Sequence, residues 1–319
     1  MMRSFFIYLS KAAWARNLVT SWSFAWKMVQ RFVAGEKLED AIEVIKKLNA
    51  KGINVTLDHL GEHTGSPEAS RAAVKDILMA LDAIQSSGVR ANVSIKLTQI
   101  GLKIDHDLCA ANLRDIVAHA HSLGNFVRVD MEDSPVTQIT LDLLRRVRAE
   151  GFTNVGIVIQ SYLYRSKADI EALMADGITV RLCKGAYQEP GEVAFPKKSD
   201  VDKNYDDLGD IMITRSAQPG APRLSADGRF PPFPALATHD EKRILHAKAF
   251  LASLNLPKGA IEFQMLNGIR GDLQEGLAAE GYPVRVYIPY GTEWYPYFMR
   301  RLAERPANVW FIVSNFFRK

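Results

Sequence analysis

The sequence has few cysteines, no long apolar runs and no large excess of either positive or negative charge. Its 319 residues include two cysteines, Cys109 and Cys183, which are far apart and match no zinc or redox spacing. We therefore expect no disulfide framework, which suits a reducing compartment. No stretch approaches the roughly 20 uncharged apolar residues that a membrane-spanning helix requires. The net charge of +4 favours anionic ligands, but it is too small to indicate nucleic-acid binding.

Residues 1–34 are rich in aromatic side chains and carry scattered lysine and arginine. A secretory signal would need a longer apolar core, and Lys11 and Arg16 interrupt this one. The segment is typical of an amphipathic helix that either packs against the rest of the chain or lies on a membrane surface, and the sequence alone favours packing. We divide the chain into this helical arm, 1–34, and one larger domain, 35–319, because nothing marks a further boundary.

From residue 53 onward, short runs rich in valine, isoleucine and leucine alternate with helical stretches. Two of the helical stretches, 66–88 and 134–151, open with Ser-Pro and close at glycine, which predicts a serine N-cap and a glycine just past the end. The runs predict strands short enough to be buried on both faces: INVTLD, NVSIKLT, FVRVDME, VGIVIQS, TVRLCKG, PALATHD, IEFQML and VRVYIP.

This alternation predicts an α/β fold, a closed (βα)8 barrel of the TIM type. A doubly wound open sheet is disfavoured, because such a sheet usually carries a G-x-G-x-x-G turn and the sequence has none. One stretch, 216–234, is rich in proline and glycine and predicts a long loop, whose relation to the functional site the sequence leaves open.

Nearly every predicted strand ends in a polar or charged residue. In a (βα)8 barrel the chemistry lies where the strands end and the βα loops begin. One polar residue leaving the core is common, but a convergent set of buried charges needs partners or a ligand. With two arginines near the C-terminus, the set makes this mouth positive, so we expect it to bind anions. The strand-end residues are Asp58, Lys96, Asp130, Gln160, Arg181, Lys184, Thr238, His239, Gln264 and Tyr287.

The segment WYPYFMRR places Arg300 and Arg301 one turn after three aromatic residues. It predicts a helix that begins near Glu293, follows the last strand and tolerates Pro296 in its first turn. Helical spacing puts Tyr297 and Arg301 on one side, and the long side chain of Arg300 can reach the same anion. Two guanidiniums beside an aromatic wall suit the carboxylate of a small amino or keto acid. By spacing alone, a solvated helix shoulder is an equally good interpretation.

Seven motifs, in order along the chain, resemble those of the flavin-dependent proline dehydrogenases in their short, single-function form. They are VSIKLTQIG, VRVDMEDS, GIVIQSYLYRS, VRLCKGAY, ALATHD, EFQMLNGIR and YIPYGTEWYPYFMRRLAERPAN, and the match runs from about Phe32 to about Asn308. The resemblance implies a distorted barrel that binds FAD non-covalently. It also implies oxidation of L-proline to Δ1-pyrroline-5-carboxylate by hydride transfer from C5 to flavin N5, with the electrons passed to a membrane quinone.

The resemblance also assigns roles to residues at the motif positions. For the substrate it implies that Lys96, Arg300 and Arg301 bind the carboxylate, that Leu266, Tyr287 and Tyr297 pack against the ring, and that Tyr187 helps to close the site. For the flavin it implies Asp130, Met131, Gln160, Arg181, Lys184, Gly185, Ala186, Thr238 and His239. Of these, Asp130 and Arg181 are the expected catalytic residues, with Arg181 near flavin N5. A cytoplasmic protein whose N-terminal arm contacts the inner face of the membrane would suit the quinone.

Two other functions compete with this one. The first is a Schiff-base lyase of the same fold, in which Lys184 or Lys96 is the nucleophile and neighbouring cations lower its pKa. The second is a non-catalytic barrel that binds an anionic metabolite or a membrane. A metal enzyme is disfavoured, because His59, His63 and His239 form no convincing ligand set beside so many cations.

Overall fold

Eight parallel strands pair in chain order and close into a barrel, with the last strand beside the first. The structure, a computed structural model, describes residues 29–61 and 64–304. The strands are Asn54–His59 (β1), Ala91–Lys96 (β2), Val127–Asp130 (β3), Val155–Gln160 (β4), Val180–Cys183 (β5), Pro234–Ala237 (β6), Glu262–Leu266 (β7) and Val284–Tyr290 (β8). Each predicted strand segment overlaps one of them, so the predicted (βα)8 barrel is confirmed.

Helices surround the barrel and alternate with its strands. They are Leu38–Ala50 (α1), Pro67–Ser87 (α2), His106–Ser122 (α3), Ser134–Ala149 (α4), Ser166–Ala175 (α5), Lys198–Ser216 (α6), Glu241–Ser253 (α7), Gly271–Ala279 (α8) and Trp294–Glu304 (α9). Helix α1 precedes β1, and each later helix follows one strand. The helix that carries the two adjacent arginines is α9, and it follows β8 as predicted.

The predicted helix ends hold for α2 and fail in part for α4. In α2 the Ser66 side chain accepts a hydrogen bond from the Ala69 N–H, and Gly88 has the left-handed conformation at φ 66°. In α4 the predicted serine N-cap is wrong, because Ser134 is the first helical residue. Its N–H and hydroxyl both donate to the carboxylate of Glu189, at 2.8 and 2.5 Å. A side chain from a distant loop therefore takes the place of a local cap.

Within the strands, apolar residues that face the helices alternate with polar residues that face the barrel axis. In β2, Val93 and Ile95 pack in the main hydrophobic core, whereas Lys96 contacts residues of other strands. Arg181 on β5 reaches the Thr56 hydroxyl on β1, 3.3 Å across the barrel. The strands are buried on both faces, as predicted, but the inner face is a hydrogen-bonded polar core. Barrels of this type usually fill that space with branched apolar side chains.

The long proline- and glycine-rich loop, 217–233, joins α6 to β6 and lies at the amino ends of the strands. The carbonyl oxygen of Gly228 accepts from Arg285 on β8, at 2.6 Å, and that of Arg229 accepts from Asn92 on β2, at 2.8 Å. The loop therefore closes the end of the barrel opposite to the predicted site.

Residues 29–35 pack at the carboxyl end of β8. The Ala34 N–H donates to the Pro289 carbonyl at 2.9 Å, and the Gly291 N–H donates to the Gly35 carbonyl at 3.0 Å. The last part of the predicted N-terminal arm, residues 29–34, therefore packs against the barrel. Residues 1–28 lie outside the described part of the chain. Within the described ranges, no helix is both long enough and apolar enough to cross a membrane.

Candidate active site

Lys96 lies in a buried group of charges at the carboxyl ends of β1, β2, β3 and β8. Its ammonium nitrogen is 3.2 and 3.3 Å from the two carboxylate oxygens of Asp58 and 3.4 Å from Asp130 Oδ2. It is also 3.2 Å from the hydroxyl oxygen of Tyr287, whose O–H donates to Asp130 Oδ2 at 2.8 Å. The register of β2 and β3 sets Lys96 beside Asp130, so the pairing of the strands brings the group together.

The protonation states of this group follow from its surroundings. Burial by itself would raise the pKa of Asp130, but Lys96 and Arg181, with hydrogen bonds from Ser94 and Tyr287, lower that pKa below its ordinary value. Burial and the charge of Asp130 raise the pKa of Tyr287 well above that of a free tyrosine. Asp130 therefore stays ionised as the acceptor, and Tyr287 stays protonated as the donor.

Arg181 crosses the barrel axis and is held on three sides. Its Nε donates to Gln264 Oε1 at 2.5 Å, its Nη1 to Asp130 Oδ1 at 3.0 Å and its Nη2 to Thr56 Oγ1 at 3.3 Å. Its guanidinium carbon lies 5.4 Å from the centre of the Tyr287 ring. Because partners on several strands fix it, the guanidinium has one well-defined orientation, and the side chain is only 6% exposed.

The ends of β3 and β4 are joined by a hydrogen bond from the Gln160 amide to the Glu132 carbonyl, at 2.8 Å. The buried carboxylate of Glu132 in turn accepts from the N–H and the hydroxyl of Thr98, at 3.1 and 2.6 Å. Met131, which directly follows β3, is buried. These contacts tie the loops after β2, β3 and β4 into one rim.

The loop after β6 is positioned through β7. His239 Nε2 accepts from the Leu266 N–H at 2.9 Å, so in the neutral ring the proton sits on Nδ1, which is a donor. The Thr238 hydroxyl accepts from the Asp240 N–H at 3.0 Å. Thr238 and His239 therefore sit beside Leu266 at the carboxyl end of the barrel.

Four of the predicted residues lie on the β5–α6 loop, 184–197. The ammonium of Lys184 contacts Asp202 at 2.5 Å and Asp240 at 2.7 Å, which places it near the starts of α6 and α7. Gly185 has φ +107°, and a Cβ there would overlap the ring of Tyr162. The two residues that follow, Ala186 and Tyr187, are exposed.

Helix α9 packs over the mouth with its aromatic side chains buried. Its partly buried Arg300 is followed by Arg301, which is 9% exposed and has its guanidinium carbon 5.0 Å from the centre of the Tyr297 ring. Leu266 packs against the apolar cluster to which Tyr297 belongs. The indole N–H of Trp294 donates to Glu36 at 3.0 Å. The interpretation of Arg301 as a solvent-exposed residue at the edge of the helix is therefore wrong.

Comparison with known proteins identifies the family. The family model for proline dehydrogenase matches residues 41–314. The proline dehydrogenase of Deinococcus radiodurans is 42% identical over 294 residues, which cover 91% of this chain and 90% of that protein. Proline dehydrogenase 2 of Bacillus subtilis is 37% identical over 317 residues, 99% of either chain.

The chain belongs to the proline dehydrogenase family. Its members are oxidoreductases of proline degradation, so the non-catalytic alternative is excluded. The structure of proline utilization A (PutA) from Bdellovibrio bacteriovorus, inactivated by N-propargylglycine, superposes with a TM-score of 0.79 at 25% identity. That match covers 87% of this chain and 32% of that larger protein.

Family membership and the geometry of the lysines together argue against the Schiff-base alternative. A nucleophilic lysine must lose its proton, and a second cation or an apolar pocket usually promotes that loss. Here Lys96 has two carboxylate neighbours, Asp58 and Asp130. Lys184 also has two, Asp202 and Asp240. Both lysines are therefore held in ion pairs, which suits the binding of ions rather than nucleophilic attack.

In this proline dehydrogenase family member, sequence reasoning missed the polar residues deeper in the barrel. Strand-end position identified Lys96 and Asp130 but not Ser94, which donates to Asp130 at 2.6 Å. It also missed Thr56 and the buried Glu262. The available signal was the alternation within the strands, since NVTLDH and ANVSIK place a polar side chain at every second position and EFQML does so at its first and third.

Proposed function

We propose that this chain oxidises L-proline to Δ1-pyrroline-5-carboxylate with a non-covalently bound FAD. The proposal is carried by the buried group of Lys96, Asp130, Arg181 and Tyr287 at the end of the barrel where enzymes of this fold bind substrates. When bound, FAD supplies the redox chemistry, because its N5 accepts the hydride that leaves C5 of proline. Inactivation of the Bdellovibrio relative by N-propargylglycine, an amino acid, supports an amino-acid substrate for this chain.

The residues at the mouth fit a flavin nucleotide. Gln160, Thr238 and His239 offer amide, hydroxyl and imidazole hydrogen bonds of the kind that ring carbonyls and phosphates need. Lys184 has three donor hydrogens, and two carboxylates leave one for a phosphate. Gly185, at φ +107° and without a side chain, lets the backbone approach a cofactor closely. Met131 and Ala186 complete the proposed flavin contacts.

The chain's own residues bind and orient the substrate. Lys96, Arg300 and Arg301 hold the proline carboxylate, because charge-assisted hydrogen bonds from several cations give a strong, oriented grip. Leu266, Tyr287 and Tyr297 pack against the pyrrolidine ring, and Tyr187, which is 37% exposed, closes the site. Asp130 fixes both Lys96 and Arg181. With FAD bound, Arg181 would supply positive charge that stabilises negative charge on the flavin ring.

Substitution of the arginines tests the substrate site. Arg301→Met and Arg300→Met each remove charged hydrogen bonds worth about 1.5–3 kcal/mol, so kcat/KM for L-proline should fall about 10- to 100-fold, mainly through KM. Steady-state kinetics with L-proline and a soluble quinone measure this. Arg71→Met, which removes an exposed arginine from α2, is the matched control and should leave KM unchanged. An unchanged KM in both test variants would remove the arginines from the carboxylate site.

The substrate nitrogen sets the expected pH dependence. Hydride leaves C5 with the help of the nitrogen lone pair, so proline must react with a neutral amine. We expect kcat/KM to rise with pH from mildly acidic to alkaline conditions, measured with the flavin saturated at every pH. A flat profile over that range would contradict the mechanism.

The proposed electron acceptor is a membrane quinone, reached from the cytoplasmic side. The aromatic and basic composition of residues 1–28 supports a peripheral membrane contact. Co-sedimentation with anionic lipid vesicles, compared between the full chain and a variant that begins at residue 29, tests that contact. Equal sedimentation of the two proteins would assign the segment to packing alone.

A further inference from the structure

A continuous line of buried polar contacts runs along the barrel axis from Arg181 to the opposite end. Arg181 Nε donates to Gln264 Oε1 at 2.5 Å, and Gln264 Nε2 donates to Glu262 Oε1 at 2.5 Å. Glu262 in turn accepts from Arg285 Nε at 2.8 Å and Arg285 Nη2 at 3.0 Å. Arg285 then donates to the Gly228 carbonyl in the closing loop, at 2.6 Å. The four side chains are between 0% and 6% exposed.

The donors and acceptors in this line permit one orientation of the Gln264 amide. A guanidinium can only donate, and an ionised carboxylate can only accept. The amide oxygen of Gln264 must therefore face Arg181, and its NH2 group must face Glu262. This follows from the chemistry of the neighbours and does not depend on how the amide was assigned. Arg181 and Glu262 thus require the same orientation of Gln264, with the amide oxygen toward Arg181.

The line also sets how much negative charge Arg181 meets. Its guanidinium contacts one carboxylate, Asp130, and one neutral amide, Gln264. The second interior carboxylate, Glu262, is paired at both oxygens with Arg285 instead. A glutamate at position 264 would place a second carboxylate on Arg181, whereas glutamine holds the same geometry and leaves part of the positive charge uncompensated.

We propose that Gln264 and Glu262 are positioning residues for Arg181, fixing the direction of its guanidinium and keeping its charge available to the reduced cofactor. The inference rests on the proposed function, in which Arg181 adjoins flavin N5. Neither residue contacts the proposed carboxylate site, so their effect belongs to the redox step and not to proline binding. The buried ion pair on which they depend lies at the far end of the barrel from the substrate.

A polarity swap tests the positioning role. In Gln264→Glu, a carboxylate oxygen replaces the NH2 group that faces Glu262 Oε1, so two buried carboxylates repel each other and the side chain loses its fixed contact with Arg181. We expect kcat to fall at least tenfold while KM for proline stays within twofold. The double variant Glu262→Gln/Gln264→Glu removes the repulsion at unchanged net charge, because the new amide at position 262 donates to the new carboxylate at position 264. We expect it to recover kcat relative to Gln264→Glu, a non-additive result.

The same double variant tests the charge. It moves a carboxylate from Arg285 to Arg181, so the flavin midpoint potential should become more negative than that of the unsubstituted protein by about 30 mV, a tenfold change in the equilibrium constant of a two-electron couple. Gln218→Glu, an amide-to-acid change at an exposed residue that also accepts from an arginine, Arg215, is the control and should leave the potential unchanged. Additive losses in kcat, or a double variant with an unshifted potential, would overturn the inference.

Gln264→Asn provides a second route if Gln264→Glu fails to fold. It leaves the Glu262–Arg285 pair intact and withdraws the acceptor from Arg181, so kcat should again fall at least tenfold at an unchanged KM. An unaffected kcat would overturn the inference. The proposed function fails separately, since an unsubstituted protein that binds no flavin, or whose flavin proline does not reduce, would show that failure before any variant is made.

Discussion

At the scale of single residues, the site depends on buried charges that compensate one another. Lys96 and Arg181 are cations, Asp58 and Asp130 are anions, and Tyr287 bridges the two kinds. Burying any one of these ions alone would cost several kcal/mol, so each needs its partners in place. In the proposed function, a substrate carboxylate would meet cations already fixed in position, which lowers the cost of orienting them.

Asp130→Asn tests this compensation through its dependence on pH. The pKa of Asp130 is lowered from the roughly 3.9 of a free aspartate, so its stabilising effect is fully present above that value and is lost as the pH falls through the lower pKa in the folded protein. We expect the stability difference between the unsubstituted protein and Asp130→Asn to be constant above about pH 5 and to shrink below about pH 4. Urea unfolding across this range measures it, and a difference that does not change with pH would contradict the account.

The charged residues at the strand ends could be predicted from the sequence. The residues deeper in the barrel that contact them could not. Lys96, Asp130 and Arg181 stand out because charged residues end apolar runs. Their partners Thr56 and Gln264 lie on strands far away in sequence, and only the register of the closed barrel sets them within hydrogen-bond distance. Local pattern carries no information about that register.

At the scale of elements, the β5–α6 loop and α9 form two sides of the mouth. The loop is docked by local and distant contacts, including the bridge between Leu163 and Ala194 and the bonds from Ser134 to Glu189. Gly185 fits against Tyr162 because it has no side chain. The position of α9 was predicted correctly, because its aromatic and apolar residues recur with helical spacing. The contact from Glu189 that replaces the serine cap of α4 was not predicted, because it comes from a loop distant in sequence.

Gly185→Ala tests the fit of the β5–α6 loop. The new Cβ overlaps the Tyr162 ring, and φ +107° is strained for alanine, so the loop must move. We expect flavin affinity to fall at least tenfold, measured by reconstitution of the apoprotein with FAD. Gly191→Ala is the control, because it lies in the same loop and a Cβ added there would meet no neighbouring atom within 4 Å. It should bind FAD normally. Equal affinities in the two variants would separate Gly185 from the flavin site.

At the scale of the whole molecule, loop 217–233 closes one end of the barrel and the proposed site lies at the other. The order and number of strands followed from the sequence because eight apolar runs alternate with helices, and a parallel sheet of that kind closes on itself. The filling of the barrel did not follow from strand-end residues alone. The interior holds a buried ion pair, Glu262–Arg285, far from the mouth. The closing loop 217–233 contacts this pair through the Gly228 carbonyl.

Arg285→Met should destabilise the whole barrel. It leaves Glu262 buried and uncompensated, at 0% exposure, and removes the bond to the closing loop at Gly228. Breaking a buried pair in this way costs about 3–5 kcal/mol, so the urea midpoint should fall in proportion while the m-value stays constant. The exposed-site variant Arg71→Met should unfold like the unsubstituted protein. A loss below about 1 kcal/mol would show that the pair contributes little.

The central claim, that this barrel is a flavin enzyme for proline, is tested most directly by one absorbance spectrum. The purified protein, reconstituted with FAD, is recorded before and after anaerobic addition of L-proline, with D-proline as the control. The account predicts a flavin band that bleaches with L-proline. A flavin band indifferent to L-proline, or a protein that cannot bind FAD at all, would contradict it.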